Sequence, residues 1–256
     1  MQTLNRILIT GASGGLGAAL ACEYAAPNRT LLLWGRNVEQ LEAVASACRE
    51  AGAHAIIRSL DLVDCNAAIA AIEEEDAAGA IDLALLCAGL GDVQAEGELT
   101  ESPEQIIQLG QVNFIAPSAM AAALARRMAA RRRGAIVLIG SAAAFHSLPF
   151  AGAYAGSKAG LARFSQALRI AVARYDVRVT LVSPGFIETP AGRSTSTSKP
   201  FLMQPSYVAA RIAKAVAQGK SHLILPWPFA LLRLLDRLLP ARARDRLLLG
   251  LAPPSA

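Results

Sequence analysis

The chain has 256 residues, of which 54% are hydrophobic and 18% are charged, so it is long and apolar enough to bury a substantial core. Its formal net charge is +5, but no basic stripe interleaved with aromatic residues accompanies that charge, which argues against nucleic-acid binding. The four cysteines are scattered and the three histidines lie far apart, a distribution that predicts free thiols in a reducing, cytoplasmic compartment and no metal site.

Short apolar runs alternate with helical periodicity along the first third of the chain. Strands are predicted at residues 6–10, 30–34, 53–59 and 81–87, and helices up to about residue 26, at 38–50 and at 65–78. This alternation predicts βαβ units and a parallel sheet. The strands are almost continuously apolar, which is typical of strands covered on both faces.

The rest of the chain continues this alternation after one long helix. That helix is predicted from Glu104 to Arg132, with a bend at Pro117. The remaining elements are strands at 134–140, 177–182 and 222–225, helices at 154–175 and 206–218, and a mobile loop at 183–205. The chain is therefore predicted to be an α/β protein with a doubly wound parallel sheet of about seven strands. Residues 1–226 form its single domain, and residues 227–256 form an amphipathic helical extension of that domain.

A glycine-rich turn at Gly11–Gly17 directly follows the first strand and opens the first helix. Glycines let the backbone turn sharply and approach a pyrophosphate, whose charge is favoured at a helix N-terminus. The spacing here is Gly-x-x-x-Gly-x-Gly, which differs from the commonest dinucleotide fingerprint. The turn predicts a dinucleotide site, and a generic glycine-rich loop is the alternative.

The end of the second strand indicates which dinucleotide is preferred. A site for NAD usually places an acidic side chain there, on the ribose 2′-hydroxyl, but no acid occurs before Glu39. Arg36 instead offers a fork of donors suited to a 2′-phosphate. We therefore predict NADP(H) in preference to NAD(H), with a solvated arginine as the alternative interpretation.

Tyr154 and Lys158 stand four residues apart in a predicted helix, so they lie on one face of it. An ammonium group beside a phenol favours the phenolate and lowers the pKa of the phenol. Ser141 precedes Tyr154 by thirteen residues, at the end of an apolar strand-like run. The three residues predict a site for proton exchange with a substrate oxygen. The spacing alone is also compatible with an ordinary solvated helix face.

Together these features resemble the short-chain dehydrogenase/reductase family, with its Rossmann-type fold, over residues 4 to about 225. Thr10–Gly17 is similar to the family's Thr-Gly-x-x-x-Gly-x-Gly turn, and Asp61 is similar to the acid that contacts adenine. Leu86–Gly89 stands where the family has Asn-Asn-Ala-Gly, so Cys87 departs from the pattern by replacing an asparagine that supports the sheet.

The resemblance also places the nicotinamide end of the cofactor. Pro184 and Gly185, with Ile187 and Thr189, look like the turn that receives the nicotinamide carboxamide. The predicted cofactor-binding residues are Gly11, Ser13, Gly15, Leu16, Gly17, Arg36, Asp61, Leu62, Ala88, Gly89, Tyr154, Lys158, Pro184, Gly185, Ile187 and Thr189.

The resemblance implies roles for four catalytic residues. Tyr154 donates a proton to the substrate oxygen, and Ser141 hydrogen-bonds that oxygen. Lys158 holds the ribose hydroxyls and lowers the pKa of Tyr154. Asn113 is similar to the helix asparagine that holds a proton-relay water. The cofactor supplies the hydride chemistry, and the protein supplies orientation and electrostatics.

Two segments are expected to line the substrate pocket, Ala142–Ala153 and Phe186–Met203. The first contains no charged group, which favours an apolar carbonyl substrate such as a keto lipid, a steroid-like ketone or an aromatic ketone. His146 has an alternative interpretation as a loop histidine bonded to the backbone. The candidate pocket residues are Phe145, His146, Leu148, Phe150 and Phe186.

These observations predict an NADPH-dependent reductase that converts a carbonyl to a secondary alcohol, acting on a small molecule as a homodimer or homotetramer. Two alternatives remain open at this point. One is an NADP-dependent alcohol dehydrogenase that runs toward the ketone, and the other is a cofactor-binding scaffold or redox sensor without turnover.

The C-terminal stretch carries leucines at helical spacing, together with five arginines and two aspartates between residues 229 and 251. The first interpretation is a stripe that docks on the protein body or on a second subunit, which would cover these leucines. The others are a lid over the substrate pocket and peripheral membrane contact through residues 227–251.

Overall fold

The computed structural model describes residues 4–91, 100–188 and 200–250, and these ranges contain one parallel sheet of seven strands in the order β3-β2-β1-β4-β5-β6-β7. The strands are β1 Arg6–Thr10, β2 Thr30–Gly35, β3 His54–Ser59, β4 Leu83–Leu86, β5 Gly134–Ile139, β6 Val177–Pro184 and β7 His222–Leu225. The helices are α1 Gly15–Tyr24, α2 Val38–Glu50, α3 Cys65–Ala78, α4 Pro103–Gly110, α5 Ala116–Ala130, α6 Gly152–Val172, α7 Pro205–Ala217, α8 Pro228–Leu238 and α9 Ala241–Leu249.

The predicted doubly wound parallel sheet is confirmed, and its strand order places the site. The chain builds outward from β1 through β2 to β3, and then returns to the other side of β1 with β4. Ligands of open parallel sheets bind in the crevice beyond the carboxyl ends of the strands at such a reversal. The glycine turn after β1 lies at this point.

Helices cover both faces of the sheet, which explains why the strands are apolar throughout. One core layer joins α1, α2 and α7 to one face, and the other joins α3, α5 and α6 to the opposite face. Side-chain caps begin several of these helices: Asn37 accepts a hydrogen bond from Gln40 N in α2, and Asp64 accepts one from Ala67 N in α3.

The predicted long helix is interrupted by a π-helical turn, Gln111–Ile115, between α4 and α5. Pro117 follows this turn and has no N–H to donate to the carbonyl four residues before it, which is that of Asn113. The helix therefore departs from α-helical geometry one turn before the proline, where the π-helical turn around Asn113 accommodates one extra residue.

The helical run 103–130 is long and apolar enough, by length and composition, to cross a membrane. In the structure its α5 part packs on the sheet, where Met120, Leu124 and Met128 are fully or almost fully buried. The α5 part of this run therefore belongs to the core of the protein, whereas α4 exposes Ile106 and Ile107.

The C-terminal stretch folds into α8 and α9 after β7. Contacts of α8 with β7 and with the short 3₁₀ turn Ala142–Phe145 join it to the body. Leu231, Leu234 and Leu238 nevertheless remain 52–70% exposed. The expectation that the body of the chain covers the leucine stripe is wrong for these three residues, because α8 faces the body through Phe229 and Arg233 instead.

Candidate active site

The glycine turn between β1 and α1 brings the backbone unusually close to itself. Gly11 adopts a φ of +67°, which favours glycine, and a Cβ at Gly11 would lie 2.9 Å from Ala88 Cα. A Cβ at Gly17 would overlap the Gly11 carbonyl group. These two glycines are therefore required by packing, and they bring Ala88 to the edge of the crevice.

The first turn of α1 is suited to a pyrophosphate. Gly14 precedes the helix without a side-chain cap, and a Cβ at Gly14 would meet no atom within 4 Å. Backbone N–H groups at an open helix start bind anions through their donors and the helix dipole. The residues present here fit the phosphates of a dinucleotide.

Thr10 ties this turn to β4 and is not among the predicted site residues. Its hydroxyl oxygen accepts hydrogen bonds from the main-chain N–H groups of Cys87, at 3.0 Å, and of Ala88, at 3.1 Å. The cysteine at position 87 thus keeps its main chain anchored. The position of Thr10, at the end of a strand directly before the glycine turn, is the signal that marks it.

Four predicted residues lie at or beside the ends of β2 and β3. Ser13 Oγ lies 3.0 Å from where a Cβ of Gly35 would stand, so Ser13 is beside the end of β2, and the next residue, Arg36, is exposed. Asp61 follows β3 and accepts a hydrogen bond from Val63 N at 3.0 Å, and Leu62 is buried. A serine and an arginine at the end of β2 suit an anionic group on the ribose.

Ser141, Tyr154 and Lys158 lie close together at the ends of β5 and α6. The side chains of Tyr154 and Ser141 are hydrogen-bonded to each other, and Ser141 Oγ also accepts a hydrogen bond from Ala143 N at 3.1 Å. Lys158 Nζ donates to the carbonyl of Ile139 at 3.0 Å and is buried. The folded chain thus brings the three predicted residues to the same region of the site.

Burial dominates the protonation of the two central groups. It raises the pKa of Tyr154 above its usual value, and the hydrogen bond from Ser141 offsets part of that rise. Burial lowers the pKa of Lys158 to about 8, although the nearby thiol of Cys87 raises it slightly. The expected lowering of the tyrosine pKa is therefore wrong for the protein alone, because removal from water outweighs it.

Asn113 holds the chain that follows β4. Its Oδ1 accepts from Leu90 N and its Nδ2 donates to Leu90 O, both at 2.8 Å, and the residue is fully buried. A Cβ at Gly89 would lie 3.0 Å from Asn113 Oδ1 and 3.2 Å from Lys158 Nζ. The lack of a side chain at Gly89 lets Asn113 and Lys158 approach the same point of the crevice.

Glu101 is a part of the site that the sequence analysis does not identify. It is buried, and its Oε1 accepts a hydrogen bond from the main-chain N–H of Ala153 at 2.7 Å. Ala153 lies in the first turn of α6, directly before Tyr154, and α6 has no cap from its own N-terminal residue. No local pattern marks Glu101, because its partner is 52 residues away along the chain.

The predicted carboxamide turn continues from β6. Gly185 N donates to Leu225 O at 2.6 Å, and Ile187 forms a bridge with Met203. A Cβ at Gly185 would stand 2.7 Å from the ring of Phe229 in α8, so the two are packed together. Thr189 lies outside the described residues.

Of the predicted pocket residues, Phe145 and His146 contact each other, and α8 also reaches Phe145. The ring of Phe145 meets those of His146 and His222 edge-on, with centroids 6.4 Å apart in each pair. The Arg233 guanidinium carbon lies 5.2 Å from the centre of the Phe145 ring. The other predicted pocket residues are partly buried or exposed: Leu148, Phe150 and the 39% exposed Phe186.

Comparison with known proteins agrees with this geometry. Residues 5–200 match the family model described as short chain dehydrogenase. The chain is 31% identical to estradiol 17-beta-dehydrogenase 11 of Mus musculus over 245 residues, which cover 92% of this chain and 80% of the mouse protein.

Solved structures extend the similarity to almost the whole chain. A short-chain dehydrogenase from Sphingobium yanoikuyae, in complex with NADPH, superposes with a TM-score of 0.81 at 28% identity and covers 99% of this chain and 98% of its own. The bulky-bulky ketone specific alcohol dehydrogenase from Comamonas testosteroni gives a TM-score of 0.79 at 25% identity, covering 99% of this chain and 97% of its own. By fold, site and family match, this chain is a member of the short-chain dehydrogenase/reductase family of oxidoreductases.

Proposed function

We propose that this enzyme reduces the carbonyl group of an apolar substrate to a secondary alcohol with NADPH. The observation that carries the proposal is the arrangement of Ser141, Tyr154 and Lys158 beside an open glycine turn. A family oxidoreductase with a hydrogen-bonded pair of hydroxyl groups at the crevice has the groups that carbonyl reduction requires.

In this mechanism Tyr154 is the proton donor. The nicotinamide, when bound, supplies a hydride for the carbonyl carbon. The raised pKa of Tyr154 keeps its hydroxyl protonated at neutral pH, which suits donation to an oxygen that is gaining negative charge. A protonated phenol is the state from which reduction starts, whereas alcohol oxidation starts from the phenolate.

Ser141 and Lys158 support that transfer. The Ser141 oxygen already accepts a hydrogen bond from Ala143 N, so its single proton is left for Tyr154 or for the substrate oxygen. Lys158, held by the carbonyl of Ile139, presents an ammonium group beside Gly89, where ribose hydroxyls would bind. A cation placed there also favours the phenolate that forms once Tyr154 has given up its proton.

Asn113 fits the proposed proton relay through its main chain. Its side-chain amide already bonds Leu90 in both directions. Its carbonyl lacks an α-helical donor, because Pro117 stands four residues later. We therefore assign the relay water to the main-chain carbonyl of Asn113, and the side chain of Asn113 to holding the loop after β4.

The preference for NADPH is supported at the end of β2. Ser13 and Arg36 offer a hydroxyl and a guanidinium in a place where a 2′-phosphate would find charge-assisted donors. The solved relative from Sphingobium yanoikuyae is in complex with NADPH. In this chain the end of β2 carries no acidic side chain that could bind the ribose 2′-hydroxyl of NAD.

An apolar, bulky substrate is supported by the entrance to the site. Phe229 packs on Gly185, next to the exposed Phe186, and Arg233 of the same helix lies over Phe145. The Comamonas testosteroni relative is described as specific for bulky-bulky ketones. The mouse relative is an estradiol 17-beta-dehydrogenase, a name that denotes a large apolar ring system. We propose the same substrate class here, with aromatic and steroid-like ketones as first candidates.

The experiment is the Tyr154→Phe variant, assayed by NADPH oxidation with a panel of aromatic, steroid and long-chain ketones. The ring and its packing remain while the proton donor is lost, so turnover should fall by about 10²–10⁴-fold. NADPH binding, followed by fluorescence titration, should stay within about twofold.

Ser165→Ala in the middle of α6 is the matched control, since it removes a buried hydroxyl without touching the Tyr154 pair. Retention of more than about a tenth of the wild-type rate in Tyr154→Phe would refute the role of Tyr154. A wild-type enzyme that oxidises alcohols with NADP⁺ but reduces none of the ketones would refute the proposed direction.

A further inference from the structure

An exposed apolar surface lies around the entrance of the site, and we refer to it as the entrance surface. Its members come from the turn after β6, from the stretch before α7, from the turn between β7 and α8, and from α8 itself. Each is between 39% and 71% exposed: Phe186, Phe201, Leu202, Trp227, Leu231, Leu234 and Leu238. Phe201 contacts Phe229 of α8, and the three leucines lie on α8 itself. Clusters of exposed apolar side chains usually mark a binding surface rather than ordinary solvent-facing protein.

The entrance surface is connected to the interior of the site by ring contacts. The rings of Phe201 and Phe229 meet edge-on at 6.4 Å, and Phe229 packs on Gly185, in the predicted carboxamide turn. One turn further along α8, Arg233 lies over Phe145. An apolar molecule that reaches this surface is therefore already next to the side chains that line the pocket.

The leucines of α8 form one face of that helix. Leu231, Leu234 and Leu238 follow the spacing that puts residues on one side of a helix. Helices with an exposed apolar face and arginines on their flanks lie in the plane of a membrane surface, with the apolar face in the boundary between headgroups and acyl chains. Tryptophans such as Trp227, which is 71% exposed, are favoured at that boundary.

The charge around this surface discriminates between the candidate occupants. Residues 229–251 contain five arginines and two aspartates, and Arg242 and Arg246 in α9 are exposed. A second copy of the chain docked face to face would bring two positive surfaces together. An anionic phospholipid surface would instead complement them.

We propose that the entrance surface docks on an anionic phospholipid bilayer, and that the enzyme takes its apolar carbonyl substrate from that bilayer. The substrate part rests on the proposed function, whereas the docking part rests on the surface alone. Docking in this orientation turns the mouth of the pocket toward the acyl chains, so a substrate dissolved in the bilayer need not cross water.

The test uses the full chain and vesicles of phosphatidylcholine, either alone or mixed with phosphatidylserine. The wild type should float with the mixed vesicles, and less so with pure phosphatidylcholine or at high salt. The combined variant Leu231→Ser, Leu234→Ser, Leu238→Ser should bind at least about tenfold more weakly, because its apolar face is lost. The matched control Ile170→Ser changes an equally exposed residue near the far end of α6, about 24 Å along the helix from Tyr154, and should float like wild type.

Activity on a water-soluble aromatic ketone separates docking from catalysis. The triple variant should keep its turnover in vesicle-free buffer and lose rate only on a ketone dissolved in vesicles. If no ketone is reduced by any form, yet the wild type floats and the triple variant does not, the proposed function fails and the docking stands.

Three results would overturn the docking. One is a wild type that ignores both kinds of vesicle, and another is a triple variant that floats as well as wild type while its circular dichroism is unchanged. The third is sedimentation velocity that shows a wild-type oligomer which the triple variant loses, since the surface would then be a contact between copies of the chain.

Discussion

At the scale of single residues, the site is governed by burial. Lys158 and Tyr154 are both held away from water, and each is driven toward its neutral form. A neutral phenol is ready to donate, and a lysine with a pKa near 8 is close to giving up its proton at physiological pH. The two shifts therefore move the pKa values apart, so the folded chain holds a protonated phenol beside a lysine that releases its proton more readily than it would in water.

The lowered pKa of Lys158 makes a prediction about stability. Its folded-state pKa of about 8 lies below the ordinary value of 10.5, so between these values the unfolded chain holds the proton more often than the folded one does. The destabilising effect of the buried ammonium is therefore complete below pH 8 and disappears as the pH rises toward 10.5. Relative to Lys158→Met, wild type should gain roughly 2–3 kcal/mol between pH 7 and pH 10.

Urea unfolding of both proteins at several pH values measures this difference. The lost hydrogen bond to Ile139 shifts the variant by a similar amount at every pH, so the change with pH is the informative quantity. A difference that stays flat, or that moves the other way with pH, would contradict the assignment.

Arg36 carries a second prediction at this scale. Arg36→Asp replaces a partner of the 2′-phosphate by a carboxylate that repels it and can accept from a ribose hydroxyl. The ratio of NADPH to NADH affinity should fall by about tenfold or more, as expected for a lost hydrogen bond to a charged group. Fluorescence titration with both cofactors measures it, with the exposed Arg163→Asp on α6 as the control of equal charge change. An unchanged ratio would remove Arg36 from the site.

At the scale of elements, the segments on either side of α4 position the site through contacts with distant parts of the chain, which no local sequence pattern encodes. The loop into α4 provides Glu101, which holds the start of α6, and the π-helical turn after α4 provides Asn113. The Glu101 bond fixes the start of the catalytic helix, and the bonds of Asn113 to Leu90 fix the loop after β4 at the cofactor crevice. Small displacements of such elements reduce rates even where no reacting group is changed.

Glu101 therefore makes a prediction for α6. Glu101→Ala leaves the N–H of Ala153 without its partner, which should lower stability by about 1 kcal/mol and lower kcat by about tenfold through displacement of Tyr154. Glu101→Gln keeps an acceptor oxygen and should restore most of the rate, with KM for NADPH unchanged in both variants. Steady-state kinetics and thermal unfolding measure these effects, with the exposed Glu104→Ala as control.

Equal rates for Glu101→Ala and Glu104→Ala would show that the contact does not position Tyr154. A Glu101→Gln variant as impaired as Glu101→Ala would indicate that the charge, rather than the acceptor, is what the site requires.

The elements also show what a single sequence can predict. Strand positions, the glycine turn and the Tyr154 helix follow from periodicity and spacing, and each appears within a few residues of its predicted bounds. Glu101 does not, because its role comes from a contact between distant parts of the chain. Pro117 indicates the π-helical turn only indirectly. The proline shows that one backbone donor is missing, but it does not show at which residues the helix changes its hydrogen-bonding pattern.

At the scale of the whole molecule, the predicted sheet of seven parallel strands is confirmed, because apolar alternation dictates which elements must be covered. The protonation of Tyr154 could not be read from the Tyr-x-x-x-Lys spacing, since it depends on how completely the fold removes the pair from water. The exposure of Leu231, Leu234 and Leu238 could not be predicted from the sequence either. A stripe of leucines at helical spacing shows that a helix has an apolar face, but it does not show what that face packs against.

The contact of α8 with the turn after β6 has a consequence for how the protein is made. The crevice around Gly11 is formed by strands from the first third of the chain, so a ribosome-bound chain can build that half of the site early. The entrance waits for Phe229 and Arg233, which are translated more than two hundred residues after Gly11. Lys158 and Gly185, which would hold the nicotinamide end of the cofactor, are translated between these two stages. During synthesis the site is therefore completed from the pyrophosphate end toward the substrate entrance.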